Sequence, residues 1–81
     1  MAVRKIDRVR QVPPTPGSDA SIAYAVHFDS EPAVVVEYAT SAFASVAHAR
    51  QVVTPYLNAE VMPRRLAVDR EGKVRVRDDD E

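Results

Sequence analysis

There is no cysteine among the 81 residues, so no disulfide can staple the chain and no thiolate can hold zinc. That removes the main signature of the oxidised secreted class and makes a reducing, cytoplasmic setting the expectation. The only glycines are Gly17 and Gly72, so neither a P-loop nor a G-x-G-x-x-G turn can be written. No apolar run approaches the roughly 20 residues that cross a bilayer. The opening MAVRKIDRVR has basic residues with no apolar stretch behind them, so no signal peptide, anchor or transmembrane segment is expected. Histidine is scarce too. His27 lies two residues from Asp29 on an alternating segment, a commonplace arrangement that falls short of an oriented general base. His27, His48, Glu37 and Asp29 have no metal-ligand spacing. No catalytic, cofactor-binding or metal-binding residue is assigned, and neither a small-molecule substrate nor a membrane partner is inferred.

Charge is nearly balanced, with 11 basic and 12 acidic residues, which argues against a surface that is a nucleic-acid footprint throughout. Its distribution is uneven. Residues 1–12 carry Arg4, Lys5, Arg8 and Arg10 against Asp7, and residues 64–77 carry Arg64, Arg65, Arg70, Lys73, Arg75 and Arg77 against Asp69 and Glu71. The middle is acidic, with only Arg50 opposing five acids, and the last four residues are all acidic. Segregation by sign points to an electrostatic partner or to association between unlike faces, with a solvated surface as the ordinary alternative.

Val3, Ile6, Val9 and Val12 recur every three residues, which fits neither a strand nor a helix; a short strand near 9–12 is the best reading of this basic arm. PPTPGSD, residues 13–19, is a loop. From Ser21 the chain alternates, with Ile22, Tyr24, Val26 and Phe28 on one face and Ala23, Ala25 and His27 on the other. AVVVEYA then gives Val34, Val36 and Tyr38 opposite Ala33, Val35 and Glu37. The two strands predict a hairpin pairing Phe28 with Val34, Val26 with Val36 and Tyr24 with Tyr38, residues 29–33 forming the loop and His27 opposite Val35. Thr40 or Ser41 is a candidate helix cap. Ala42, Val46, Ala49, Val53 and Leu57 form an apolar stripe, which predicts a helix from about Ser41 to Val53, with Thr54 and Pro55 opening a short helical extension. A second hairpin follows, its three-residue link Arg70, Glu71 and Gly72 placing glycine where a left-handed residue is needed. Val68 is expected opposite Val74, Leu66 opposite Val76 and Asp69 opposite Lys73.

The order ββαββ predicts an α+β fold: a small antiparallel sheet from two β-hairpins, with an extra N-terminal strand as an option, packed on one face by a single amphipathic helix. The expected divisions are a basic arm at 1–12, a Pro-rich loop at 13–19, one domain at 20–77 and an acidic tail at 78–81. The predicted core is Ile22, Tyr24, Val26, Phe28, Val34, Val36, Tyr38, Phe43, Val46, Val53, Leu57, Leu66, Val68, Val74 and Val76. Tyr24 and Tyr38 could stack bases if their face were open, but it should lie beneath the helix.

Two surfaces remain. Arg65, Lys73, Arg75 and Arg77 gather on the outer face of the second hairpin, with Arg65 opposite Arg77, and like charges set directly across a strand pair need compensation. Phosphate, solvent or the acidic tail could supply it, and Arg4, Lys5, Arg8 and Arg10 would be a second, flexible contact. Ala23, Ala25, Val35 and Ala67 make the middle of that face small and apolar, as for a surface covered by the N-terminal arm or by another copy. The expectation is a small non-catalytic interaction module that self-associates through the sheet, as a homo-oligomer or with a protein partner; the alternative is a nucleic-acid-binding accessory protein using the arginine-rich hairpin.

Overall fold

The computed structural model describes residues 5–29 and 32–77; Arg4 and the acidic tail at 78–81, both given roles above, lie outside the described residues. The elements are β1 (Ile6–Val12), β2 (Ile22–Phe28), β3 (Val34–Tyr38), α1 (Val46–Val53), a 3-10 turn (Thr54–Tyr56), β4 (Arg65–Val68) and β5 (Val74–Arg77). The strands form one sheet in the order β1-β2-β3-β4-β5. The chain is a small α+β fold with both hairpins present. The join between the hairpins is parallel, Val36 lying beside Leu66 and Tyr38 beside Val68, so the sheet is mixed rather than wholly antiparallel. The connection explains this: parallel neighbours need a crossover of a dozen or more residues, and residues 39–64, which contain α1, are that crossover.

Residues 6–12 of the N-terminal arm form a full edge strand. Ile6 pairs with Phe28 and Arg8 with His27, so two steps along β1 match one along β2, and Asp7 is the extra residue of a bulge. Ile6 and Val9, three apart, consequently both pack against the core cluster on the helix side. Val3 lies outside the described residues; the interval of three between Ile6 and Val9 is a period of two interrupted once. Val12, three residues further with no second bulge, pairs with Ala23 and falls on the other face.

In the first hairpin the pairs are Val26 with Val34, Tyr24 with Val36 and Ile22 with Tyr38. This corrects the predicted register by two residues while leaving every side chain on its expected face, because strand faces repeat every two residues. Ala25, not His27, lies opposite Val35, and His27 pairs instead with Arg8. The second hairpin has the predicted register throughout, and the Asp69 N–H donates to the Lys73 carbonyl at 2.9 Å. Gly72 there has φ +87°.

The helix starts later than its stripe suggested. Ser45, extended at φ −162°, caps it and accepts from the His48 N–H at 3.0 Å. The Thr40 hydroxyl instead accepts from the Ala42 N–H at 3.3 Å, within a turn. Thr54 closes α1, and Pro55 opens the 3-10 turn as expected. Eight residues give a helix of ~12 Å, whereas five strands span ~19 Å. The helix packs over β1, β2 and β3, burying Ala49, Val52 and Val53. Tyr56, Leu57 and Met62 pack against the same core, in which Leu66 and Val68 of β4 are also buried. Nothing of that length reaches β5. Val74 is 40% exposed and Val76 50%, and Phe43 and Val46 also lie outside the core, correcting four of its predicted members.

Candidate interaction surface

Registers on both sides of the sheet assign the outer face, opposite α1. Arg8, Arg10 and Val12 lie beside His27, Ala25 and Ala23; Val35 and Glu37 follow on β3, Arg65 and Ala67 on β4, and Arg77 and Arg75 on β5. Five arginines therefore occupy one face in two strips, ~14 to ~19 Å apart at ordinary strand spacing. Arg8 and Arg10, expected in a flexible second contact, instead sit on a strand of the same sheet. Lys5 is exposed just before β1, and Lys73 is exposed where the second hairpin turns.

Between the strips the face is not open. Ala23 and Ala25 are buried within one chain, leaving Val35 and Ala67, both half-buried, as the accessible part of the expected self-association patch. Glu37, placed on this face by the alternation, is only 2% exposed. Its Oε2 accepts from the Thr15 N–H at 3.2 Å and from the Thr15 hydroxyl. Ser18 Oγ donates to the Thr15 carbonyl at 2.8 Å, so the Pro-rich loop is tied internally as well as to the sheet. A charged group survives burial only when hydrogen-bonded; the loop supplies those bonds and in return is held over the sheet. Thr15 and Glu37 were missed as a pair because 22 residues separate them. The one available signal was a lone acid in the apolar run AVVVEYA.

Beside this clamp lies a groove of about 550 Å³ bordered by Asp19, Glu37, Ala67, Asp69, Arg75 and Arg77. Both signs of charge meet there. Asp69 holds the hairpin turn together, since its Oδ1 accepts from the N–H groups of Glu71 and Lys73, both at 2.9 Å. The Lys73 amide is the main reason that its carboxyl titrates below the ordinary range, with the Glu71 amide and the charges of Arg75 and Lys73 helping against some burial.

The histidines are engaged in different ways. Arg10 Nε donates to His27 Nε2 at 3.1 Å, so that nitrogen is the unprotonated one. Nδ1 of His48 lies 2.8 Å from the hydroxyl of Tyr38, a fully buried residue whose phenol is pushed up to about 12 by burial and then by neighbouring Tyr24. Tyr24 meets Tyr38 edge to face at 6.0 Å, on the helix side, so this aromatic pair does not face outward. No group of three or more His, Cys, Asp or Glu converges among the described residues. No helix among them is long and apolar enough to cross a membrane.

The most exposed element is β5, all four residues of which are open to solvent. Because Asp69 and Lys73 form a hydrogen-bonded pair, alternation makes Ala67 with Arg75 and Arg65 with Arg77 hydrogen-bonded pairs, and Val68 with Val74 and Leu66 with Val76 non-bonded ones. The N–H and C=O groups of Val74 and Val76 hence point away from β4, along the sheet edge. The opposite edge, β1, is blunted by the Asp7 bulge; β5 has neither bulge nor proline. No protein-family model, curated protein or solved structure matches the chain.

Proposed function

We propose that the chain is a small non-catalytic interaction module that docks an extended strand on the β5 edge, in the cytoplasmic setting expected from its lack of cysteine. One observation carries the reading: β5 is the last strand of the sheet, so the outward backbone groups of Val74 and Val76 have no partner strand among the described residues, and the side chains of the same residues are half-exposed, the two ingredients of strand addition. A second copy of the chain and a foreign strand would use the same groups. Residue-resolved amide exchange tests it. In the free chain Val74 and Val76 should exchange fast and Arg75 and Arg77 slowly; raising the protein concentration or adding a β-prone peptide should protect the two valine amides. If neither treatment changes their exchange, the edge is not a docking site.

The arginines favour a second reading, nucleic-acid binding by the outer face, since β1 brings Arg8 and Arg10 to the side that holds Arg65, Arg75 and Arg77. Phosphate contacts of that kind give affinity that falls steeply with salt, by a slope of about 0.9 per contact in logarithmic units. Gel retardation of mixed DNA and RNA at low salt, run with the full chain and with residues 78–81 deleted, should reveal binding in at least the second. No retardation in either ends this reading.

A further inference from the structure

We propose that the strand taken up by β5 belongs to a partner protein and alternates small apolar with acidic residues, rather than coming from a second copy of this chain. The inference rests on the strand-addition reading above and names its partner.

Geometry sets what each partner residue meets. Residues bonded to the outward N–H and C=O groups of Val74 and Val76 lie directly opposite them, on the helix side, where the valines are 40% and 50% exposed; small apolar side chains cover that surface. Residues alternating with these fall on the outer face, opposite Arg75 and Arg77. Both arginines are exposed, and a carboxylate there accepts a charge-assisted hydrogen bond across the strand pair.

A second copy meets the opposite condition. Antiparallel self-pairing through the outward groups, with both helices on one side, has three registers within the described strand and its flanking lysine. Val74 opposite Val76 sets Arg75 against Arg75 and Lys73 against Arg77. Val76 opposite Val76 sets Arg75 against Arg77 twice, and Val74 opposite Val74 sets Lys73 against Arg75 twice. Each register opposes cations, which destabilises a strand pair. Joining β5 to β1 of another copy fares no better, since Arg8 and Arg10 occupy the same outer face and the Asp7 bulge interrupts the ladder. The arginines thus act as a filter on an edge that the valines leave adhesive: they reject the chain itself and admit an acidic strand.

Two fluorescent heptapeptides, Ser-Val-Glu-Val-Glu-Val-Ser and its lysine counterpart Ser-Val-Lys-Val-Lys-Val-Ser, both capped at each end, test this by anisotropy against the full chain. The glutamate peptide should bind about tenfold more tightly or better, with affinity that falls as salt rises. The double substitution Arg75→Glu with Arg77→Glu should reverse the preference. Val76→Pro, which deletes one outward N–H at an edge position where proline is tolerated, should abolish binding while circular dichroism stays that of the wild type. Equal binding of the two peptides, or a dimer in sedimentation velocity that Val76→Pro dissolves, overturns the acidic partner but leaves strand addition standing. Absence of both binding and dimerisation removes the two together.

Discussion

Replacing Thr15 with valine is the sharpest test of how the outer face is sealed. The substitution keeps side-chain shape and the backbone N–H but removes the hydroxyl donated to Glu37, a residue only 2% exposed. A hydrogen bond to a charged group contributes ~1.5 to 3 kcal/mol, and a buried acceptor left short of a partner forfeits it in full. An 81-residue chain commands only ~4 to 12 kcal/mol in total. The expected loss is therefore between about one eighth and three quarters of stability, and in a domain of this size each kcal/mol moves the melting temperature by ~4 to 8 °C. Thermal unfolding followed by circular dichroism should show Thr15→Val melting ~6 to ~24 °C below wild type, with the Pro-rich loop cut earlier by a non-specific protease. Glu37→Gln retains an acceptor and should cost less. Combining Thr15→Val with Glu37→Leu removes both polar partners and should recover much of the deficit, giving a large coupling in the double-mutant cycle. A Thr15→Val protein within ~0.5 kcal/mol of wild type would refute the reasoning.

The two glycines provide an internal comparison. Gly17 and Gly72 both have positive φ, but a Cβ at Gly17 meets open space while one at Gly72 would sit 3.3 Å from Phe43 Cζ. Alanine at either should cost ~1 to 2 kcal/mol for the left-handed backbone, and Gly72→Ala should cost more in urea denaturation; equal losses would show that the Phe43 ring moves aside freely. Tyr38 predicts a loss of stability in alkali. Its folded value of about 12 lies above the 10.0 of an ordinary tyrosine, so the folded state holds the phenolic proton more tightly. That contribution is complete below pH ~10 and falls between pH ~10 and ~12 by up to ~1.4 kcal/mol per pH unit. Urea denaturation across that range should show a decline in the wild type that Tyr38→Phe lacks; parallel curves for the two proteins would contradict it.

How far the fold was legible depended on what each pattern encodes. Strand periodicity encodes faces and not registers, so the first hairpin could be misaligned by two residues with every side chain still on its proper side. The second hairpin could be aligned outright because its turn chemistry, with Gly72 in the left-handed region and Asp69 accepting from Glu71 and Lys73, counts residues as well as faces. In β1 the inserted Asp7 changed the count, and the resulting interval of three between Ile6 and Val9 hid a strand. Helix length was overstated because Thr40 and Ser41 have the chemistry of a cap, but only Ser45 accepts the His48 amide and starts the helix.

The candidate surface was half legible for a related reason. Alternation told which side of the sheet Arg65, Arg75 and Arg77 occupy, since that is local. Whether Val74 and Val76 on the reverse side are core or surface depends on a comparison of two lengths: an eight-residue helix of ~12 Å against a five-stranded sheet of ~19 Å. Once β1 joins the sheet, the helix is committed to β1, β2 and β3, and the last strand is left beyond its reach. The last strand is thus adhesive because the helix leaves its valines exposed, and the arginines matter because they decide what those valines can touch.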